Sequence, residues 1–494
     1  MYLSRAAFLA VLTGTLTTNL GSEGVAPPPL PREFRAVWVA TVNNIDWPAK
    51  PGLPSEEQRA QLRAIFDRCA DLRLNAVILQ MRPATDALYP SRLEPWSEYL
   101  TGRQGDPPNP PYDPLKFAVE EAHARGLELH VWFNPYRSKH PTAKGPLAEN
   151  HISRTNPKIV KTYGQYLWMD PGEPATQKHS LNVILDAVKR YDIDGVHIDD
   201  YFYPYKEKDA KGEFIDFPDE PAWQAYLKSG GKLARDDWRR SNVDRFIERL
   251  YKEIKQTKRW VKFGISPFGI WRPGNPPQIQ GYDQYANLYA DARKWIMEGW
   301  CDYYAPQLYW RIDPPAQSYP VLLKWWCQQN PLGRHIWPGN YTGRLSEGAA
   351  GWTPTEIVNQ IRKTREQEGA TGNIHFSMKT FMQNRMGIND TLKQNCYTEQ
   401  ALVPASPWLG GQPPAKPAVR VLTGPGGMRT VALQPGKERQ PWWWAVQART
   451  NGQWKTAVYP GTAKTAPIPA DADAVCVRAV DRVGTESEAA LIIL

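Results

Sequence analysis

Between residues 32 and 400 the chain repeats one unit eight times: a run of β-type residues, then a stretch whose apolar positions recur at helical spacing. The β-type runs are Arg35–Asn43, Ala76–Pro83, Leu127–Tyr136, Gly195–Tyr203, Lys262–Ile270, Asp302–Trp310, His335–Gly343 and Asn373–Thr380. Helical patterns fall at Ser55–Leu72, Pro114–Arg125, Gln177–Tyr191, Asp237–Trp260, Tyr285–Glu298, Ala316–Gln328 and Thr355–Glu368, with a weaker eighth at Asn384–Gln394. Acids open the first helix at Ser55-Glu56-Glu57-Gln58, and Gly126 stands where a helix ends before a strand. Strands joined through helices run parallel, since the helix carries the chain back to the starting edge. Eight such units fit an α/β chain folded as a (β/α)₈ TIM barrel with insertions. An open doubly wound sheet competes, but it usually has fewer strands, and no GxGxxG turn follows the first run.

The rest of the chain has a different character. Residues 1–26 read as a Sec signal peptide: Arg5, a short apolar stretch Ala6–Leu16, then the small residues Gly24-Val25-Ala26. A secreted protein of the periplasm or cell envelope is expected, with no membrane span in the mature chain. The barrel then occupies residues 27–403, and a Pro/Gly-rich linker residues 404–414. Residues 415–494 lose helical periodicity and alternate in short runs, as a small all-β immunoglobulin-like sandwich requires. The closing segment AVCVRAVDRVGTESEAALII resembles the last hairpin of a fibronectin type III domain. In Trp442-Trp443-Trp444, at least one ring is expected in the sandwich core. The five cysteines show no CxxC spacing, and their odd number leaves at least one thiol free or paired between chains.

Composition narrows the partner. The chain has 21 Trp and 23 Tyr against 13 Phe. Trp and Tyr add flat faces with a polar tip, which suits stacking on sugar rings. The net charge is +9, but its basic residues are dispersed, with no run of five or more and no nucleic-acid motif. A polysaccharide, an anionic cell-wall glycan, is the expected partner, with no nucleic acid and a monomeric chain.

In such a barrel the reactive groups stand at the carboxyl ends of the strands. Those ends carry Asn43, Asp46 and Trp47, then Arg82, then Asn134, Tyr136 and Arg137. The fourth supplies His197, Asp199, Asp200, Tyr201 and Tyr203, the fifth Ser266. The sixth supplies Gln307, Tyr309 and Trp310, the seventh Asn340 and Tyr341, the eighth Lys379. Alternation along the fourth strand turns Val196 and Ile198 to the helices and His197 and Asp199 into the barrel. Asp199 and Asp200 are the candidate catalytic residues, because glycoside hydrolysis uses one ionised carboxylate and one proton donor. The other residues named are candidates for substrate binding. No Glu stands at a strand end, so the second acid falls among Asp200, Asp46, Asp86 and Asp313. No cofactor and no metal is expected. His197, Asp199 and Asp200 could serve a metal-dependent deacetylase only if they converged, and alternation separates the two acids.

These residues carry a resemblance. Arg32–Pro48 (REFRAVWVATVNNIDWP) closely resembles the opening signature of the bacterial glycosyl-hydrolase-like family 10. Leu79–Pro83, Trp132–Arg137, the segment DGVHIDDYFYP, Gly264–Gly269 and Pro306–Trp310 match at successive strands. The resemblance implies a (β/α)₈ glycosidase of the cell envelope cutting peptide-free peptidoglycan glycan strands. Many members are lipoproteins, and no lipobox Cys is present here. The fourth strand is also similar to that of family 18 chitinases, with Tyr201 in place of their catalytic Glu, and to that of the α-amylase clan, whose nucleophile falls at Asp199. The expected function is therefore hydrolysis of an amino-sugar polysaccharide. Hydrolysis of another extracellular polysaccharide and a non-catalytic sugar-binding barrel are the alternatives.

Overall fold

A computed structural model describes residues 26–348, 351–437 and 440–494. The leader read at residues 1–26 lies outside these, apart from Ala26. Among the described residues no helix is long and apolar enough to cross a membrane.

Eight parallel strands form the barrel: β1 Phe34–Val39, β2 Ala76–Arg82, β3 Glu128–Phe133, β4 Gly195–Ile198, β5 Lys262–Ile265, β6 Tyr303–Tyr304, β7 His335–Ile336 with Gly339–Asn340, and β8 Gly372–His375. β7 closes the ring. Its first half pairs with β6 and its second half with β8, on either side of Trp337-Pro338. The strands alternate, but both faces are buried, so they read as almost unbroken apolar runs. Val37, Val77, Val131, Val196, Ile198 and Ile265 face outward into the core shared with the helices. Phe34, Trp38, Ile78, Trp132, Tyr303 and Trp337 fill the interior. Two glycines make room for the interior rings. A Cβ on Gly264 would stand 1.8 Å from the Tyr303 ring, and one on Gly195 would stand 2.6 Å from His130.

The crossover helices are α1 Ser55–Asp71, α2 Pro114–Ala124, α3 Pro174–Arg190, α4 Arg235–Thr257, α5 Ala292–Met297, α6 Tyr319–Gln328, α7 Pro354–Glu366 and α8 Ile388–Asn395. α2 shows why it starts where it does. The Asp113 carboxylate accepts from the Leu115 and Lys116 amides, and Pro114 occupies the first turn, where no amide donor is needed. Gly126 takes φ +75° just beyond the end of α2. Several strands are shorter than their sequence runs. In the sixth and seventh, Pro306 and Pro338 have no N–H to offer the ladder. An unforeseen three-stranded antiparallel sheet (Arg137–Lys139, Val160–Tyr163, Tyr166–Met169) follows β3 and stands above the barrel mouth.

Seven further strands build two antiparallel sheets. β9 Ala418–Thr423, β10 Arg429–Gln434 and β13 Thr465–Ile468 form one. β11 Trp443–Thr450, β12 Gln453–Pro460, β14 Ala474–Val480 and β15 Ala490–Ile493 form the other. Val431, Leu433, Trp444, Val446, Val475 and Val477 pack between them. Trp444 is thus core, as expected of one of the three tryptophans. Trp443 packs with Leu30 and Leu402 from the ends of the barrel segment. Trp442 lies edge-on to His123 of α2. The sandwich is docked on the amino-terminal face of the barrel, where Arg482 reaches Asp192 and Asp194 ahead of β4. The stretch between the two also touches that face, with the Ser406 hydroxyl 3.0 Å from His335 and the Trp408 indole donating to Asp302 at 2.8 Å.

Arg482 is the centre of this docking. Its guanidinium lies 4.0 Å from the Trp442 ring centre and 2.9 Å from the buried Asp194. Arg482→Ala is expected to cost on the order of 2 kcal/mol, because Asp194 keeps its charge and loses a partner. Thermal unfolding at pH 7 measures this, and an unchanged midpoint would mean the docking adds no stability.

Candidate active site

A cleft of about 450 Å³ opens at the carboxyl ends of the strands. Trp38 and Trp132 rise from the barrel interior as its floor, and Tyr201, Tyr205, Phe268, Tyr309 and Phe376 stand around it. Asp199 and Asp200 lie together among these rings, each about 5% exposed.

Local structure brings the two acids together. β4 ends at Ile198, whose carbonyl accepts from the Ser266 amide, and the chain turns at once, with the Phe202 amide donating to the Asp200 carbonyl. Strand alternation therefore stops before Asp199–Asp200, and both carboxyl groups reach the cleft. This corrects the expectation that alternation would separate them. Asp199 Oδ2 accepts from Trp132 Nε1 at 3.1 Å and from Asn134 Nδ2 at 2.7 Å. Asp200 Oδ1 accepts from Gln307 Nε2 at 3.2 Å, and Asp200 Oδ2 accepts from the Tyr205 hydroxyl. Burial and then the neighbouring Asp200 charge push Asp199 up to about 7, against the pull of Arg137. Burial raises Asp200 also, opposed by Tyr205 and Gln307. Two like charges in so dry a place do not both ionise readily, so the pair holds on to a proton near neutral pH.

Of the other residues singled out in the sequence, Asn43, Arg137, Tyr201, Ser266, Gln307 and Tyr309 line the cleft. The rest lie outside its lining. Asn134 acts from beneath, held by Gln80 Nε2 at 2.7 Å and aimed at Asp199. His197 is in the barrel interior, where Nε2 accepts from Trp38 Nε1 at 3.1 Å and Nδ1 meets the Tyr303 hydroxyl at 3.0 Å. Burial holds its pKa well below the usual histidine range. Both ring nitrogens are thereby occupied, so His197 does not join the two acids as a metal ligand. Asp46 ties the β1 loop to the β8 end, accepting from the Ala40 amide, the Ser377 hydroxyl and the Lys379 amide. Lys379 thus meets Asp46 through its backbone.

Trp47, Tyr136 and Tyr203 are buried in the outer core between strands and helices. Arg82 is fully buried on Glu94. Asn340 is enclosed by Gln360 and Asn373. Trp310 stands behind Phe268, and Tyr341 beside Tyr309. Trp47, Tyr136 and Tyr203 lie beyond the last residues of their strands, and Arg82 follows a register shift in β2, so period-two alternation does not set their direction. Of the other acids weighed as a second carboxyl, Asp86 is buried against Gln104 and Asp313 stands on an exposed loop.

Strand-end reading missed Trp38, Trp132, His140, Tyr205 and Phe376. Trp38 and Trp132 alternate with outward residues and were legible as inward positions. His140 and Tyr205 stand beyond the strands, in segments whose course no periodicity reveals.

A (β/α)₈ barrel with paired buried carboxyls in an aromatic cleft is the architecture of glycoside-processing enzymes. The comparisons agree with that class. The chain matches the glycosyl hydrolase-like 10 family over residues 33–348 and belongs to it. It is 43% identical to the glycosyl hydrolase YngK of Bacillus subtilis over 403 residues, covering 79% of this chain and 77% of that protein. It is 37% identical to the glycosyl hydrolase DigH of Escherichia coli over 315 residues, 60% of this chain and 69% of that one. The barrel fold is similar to the catalytic domain of a β-amylase from Paenibacillus polymyxa, with TM-score 0.50 at 12% identity, covering 75% of this chain and 99% of that one. The chain is a glycosyl hydrolase, which sets aside the non-catalytic barrel.

The buried acid has a thermodynamic consequence. A carboxyl whose folded pKa is about 7 against an ordinary 3.8 loses stability from pH 4 upward, and the loss is complete above 7. Asp199→Asn is expected to raise stability more at pH 8 than at pH 5, by on the order of 2 kcal/mol, with no gain below pH 4. Denaturant unfolding at the three pH values measures it, and a pH-independent difference would contradict the raised pKa.

Proposed function

We propose that the barrel hydrolyses a glycosidic bond in an amino-sugar polysaccharide, namely peptide-free peptidoglycan glycan, in the periplasm or cell envelope. The observation that carries the chemistry is the pair Asp199–Asp200, buried side by side and raised in pKa at the floor of an open cleft. Between them the two carboxyls supply an ionised group for the developing oxocarbenium charge and a proton for the leaving oxygen. Tyr205 and Gln307 fix Asp200, while Trp132 and Asn134 fix Asp199. The rings of Trp38, Tyr309 and Phe376 offer faces for sugar CH groups. The amino-sugar wall polymer is favoured by the net charge of +9 and by the family resemblance of the strand-end motifs. The docked sandwich serves as a spacer on the face away from the cleft.

The test is digestion by the full chain of peptide-free glycan strands, intact peptidoglycan and chitin oligomers, with products read by mass spectrometry. Cleavage of the peptide-free strands is expected, and Asp199→Asn and Asp200→Asn should each lose about 10²–10⁴-fold in kcat. Cleavage of another polysaccharide alone would overturn the substrate, and full activity in both variants would overturn the residues. The rate is also expected to fall above about pH 7, as the proton retained by the pair is lost. A profile flat to pH 9 would assign proton donation to another group.

A further inference from the structure

We propose that Arg137 and His140 form a receptor for a carboxylate carried by the bound sugar, so that the cleft selects glycan whose lactyl side chain is a free acid. This rests on the reading of the cleft as a peptidoglycan glycan site.

Arg137 is 2% exposed. Its Nε donates to the Pro83 carbonyl at 2.8 Å, and its guanidinium carbon lies 4.8 Å from the Tyr201 ring centre. The two terminal nitrogens have no hydrogen-bond acceptor and no ion pair among the described residues, although Arg137 lines the cleft. Among the described residues, comparably buried guanidiniums are matched. Arg35 pairs with Glu33 at 2.6 Å, Arg82 with Glu94, and Arg239 with Asp219 at 2.7 Å. A nearly buried guanidinium whose terminal N–H groups have no acceptor is costly, and a partner that arrives with the substrate removes the cost. Asp199 and Asp200 feel the Arg137 charge but bond to other donors.

His140 stands on the same cleft wall, edge-on to Tyr166 at 5.6 Å between ring centres. Its Nδ1 meets the Thr142 hydroxyl at 2.8 Å and accepts from the Thr142 amide at 3.2 Å, and as the amide's acceptor it leaves the ring proton on Nε2. Burial, Arg137 and Lys144 hold its pKa down to about 4, so the ring is neutral. Nε2–H has no acceptor among the described residues. The wall therefore offers a forked guanidinium edge and one further N–H, with no competing carboxylate bonded to either. That donor set fits a planar carboxylate taken bidentately.

In wall glycan the muramyl unit carries such a group on its lactyl ether. Stem peptide converts that acid to a neutral amide, which would leave Arg137 unmatched. The selection of peptide-free strands then follows from charge as well as from size, and plain N-acetylglucosamine polymers lack the group altogether.

The experiment compares peptide-free glycan strands with the same strands after reduction of the lactyl carboxyl to the alcohol, using the full chain. Wild type is expected to favour the carboxylate form by about 10–100-fold in kcat/KM, mostly through KM. Arg137→Gln should erase the preference, losing more on the carboxylate strands than on the reduced ones, on top of any common change from removing its charge beside Asp199 and Asp200. Arg137→Lys, which keeps the charge without the fork, should keep part of it. Thermal unfolding checks that each variant is folded. Equal rates of wild type on both strands would overturn the proposal. So would equal loss by Arg137→Gln on both, with a shifted pH profile, which would make Arg137 only an electrostatic partner of the two acids. If wild type cleaves neither strand, the proposed function fails. Binding of the two strands to Asp199→Asn then decides the receptor separately: tighter binding of the carboxylate form supports it, and equal binding overturns it.

Discussion

The Tyr303 hydroxyl sits at the centre of the barrel, between His197 Nδ1 at 3.0 Å and His130 Nδ1 at 2.9 Å. Everything above and below it depends on that placement. Upward, His197 receives the Trp38 indole N–H and so sets the floor of the cleft. Downward, His130 meets Glu128 at 3.0 Å, and Glu128 is neutralised by Lys262 at 2.8 Å. A hydrogen-bonded column thus runs through the barrel in place of an all-apolar filling. Buried polar groups are tolerable only when each has its partner, and here each member both locks its neighbour and is locked by it. Gly195 and Gly264 are the backbone condition for the column, since a side chain at either would occupy the space of the His130 or Tyr303 ring.

The same logic continues at the mouth. Asp199 is held between an indole from the barrel filling and an amide fixed by Gln80. Its geometry is therefore inherited from the rigid part of the fold. Asp200 is held differently, by Gln307 beyond β6 and by Tyr205 in the segment after β4. One acid is positioned by the barrel and the other by its loops. That division suits a pair whose members face different electrostatic demands while sharing one cleft.

Much of this was legible in the sequence. The barrel followed from eight alternating units, and the inward turn of His197 from the period of the strand. The partners of His197 were not legible, because Trp38 and Tyr303 lie far along the chain and meet it only across the closed ring. Trp47, Tyr136 and Tyr203 were read as cleft residues because they follow strand ends, yet they fill the space between sheet and helices. A strand-end position narrows a side chain to two directions, and residue type does not choose between them for an aromatic ring. His140 and Tyr205 lie in insertions whose path depends on tertiary contacts alone. The pairing of Asp199 with Asp200 escaped strand alternation because the strand itself ends one residue earlier.

The sandwich occupies the barrel face opposite the cleft. An attachment made through the sandwich, to a bead, a surface or a fused partner, would leave the mouth of the barrel turned outward and unobstructed. The orientation is held by Arg482 and the rings around it.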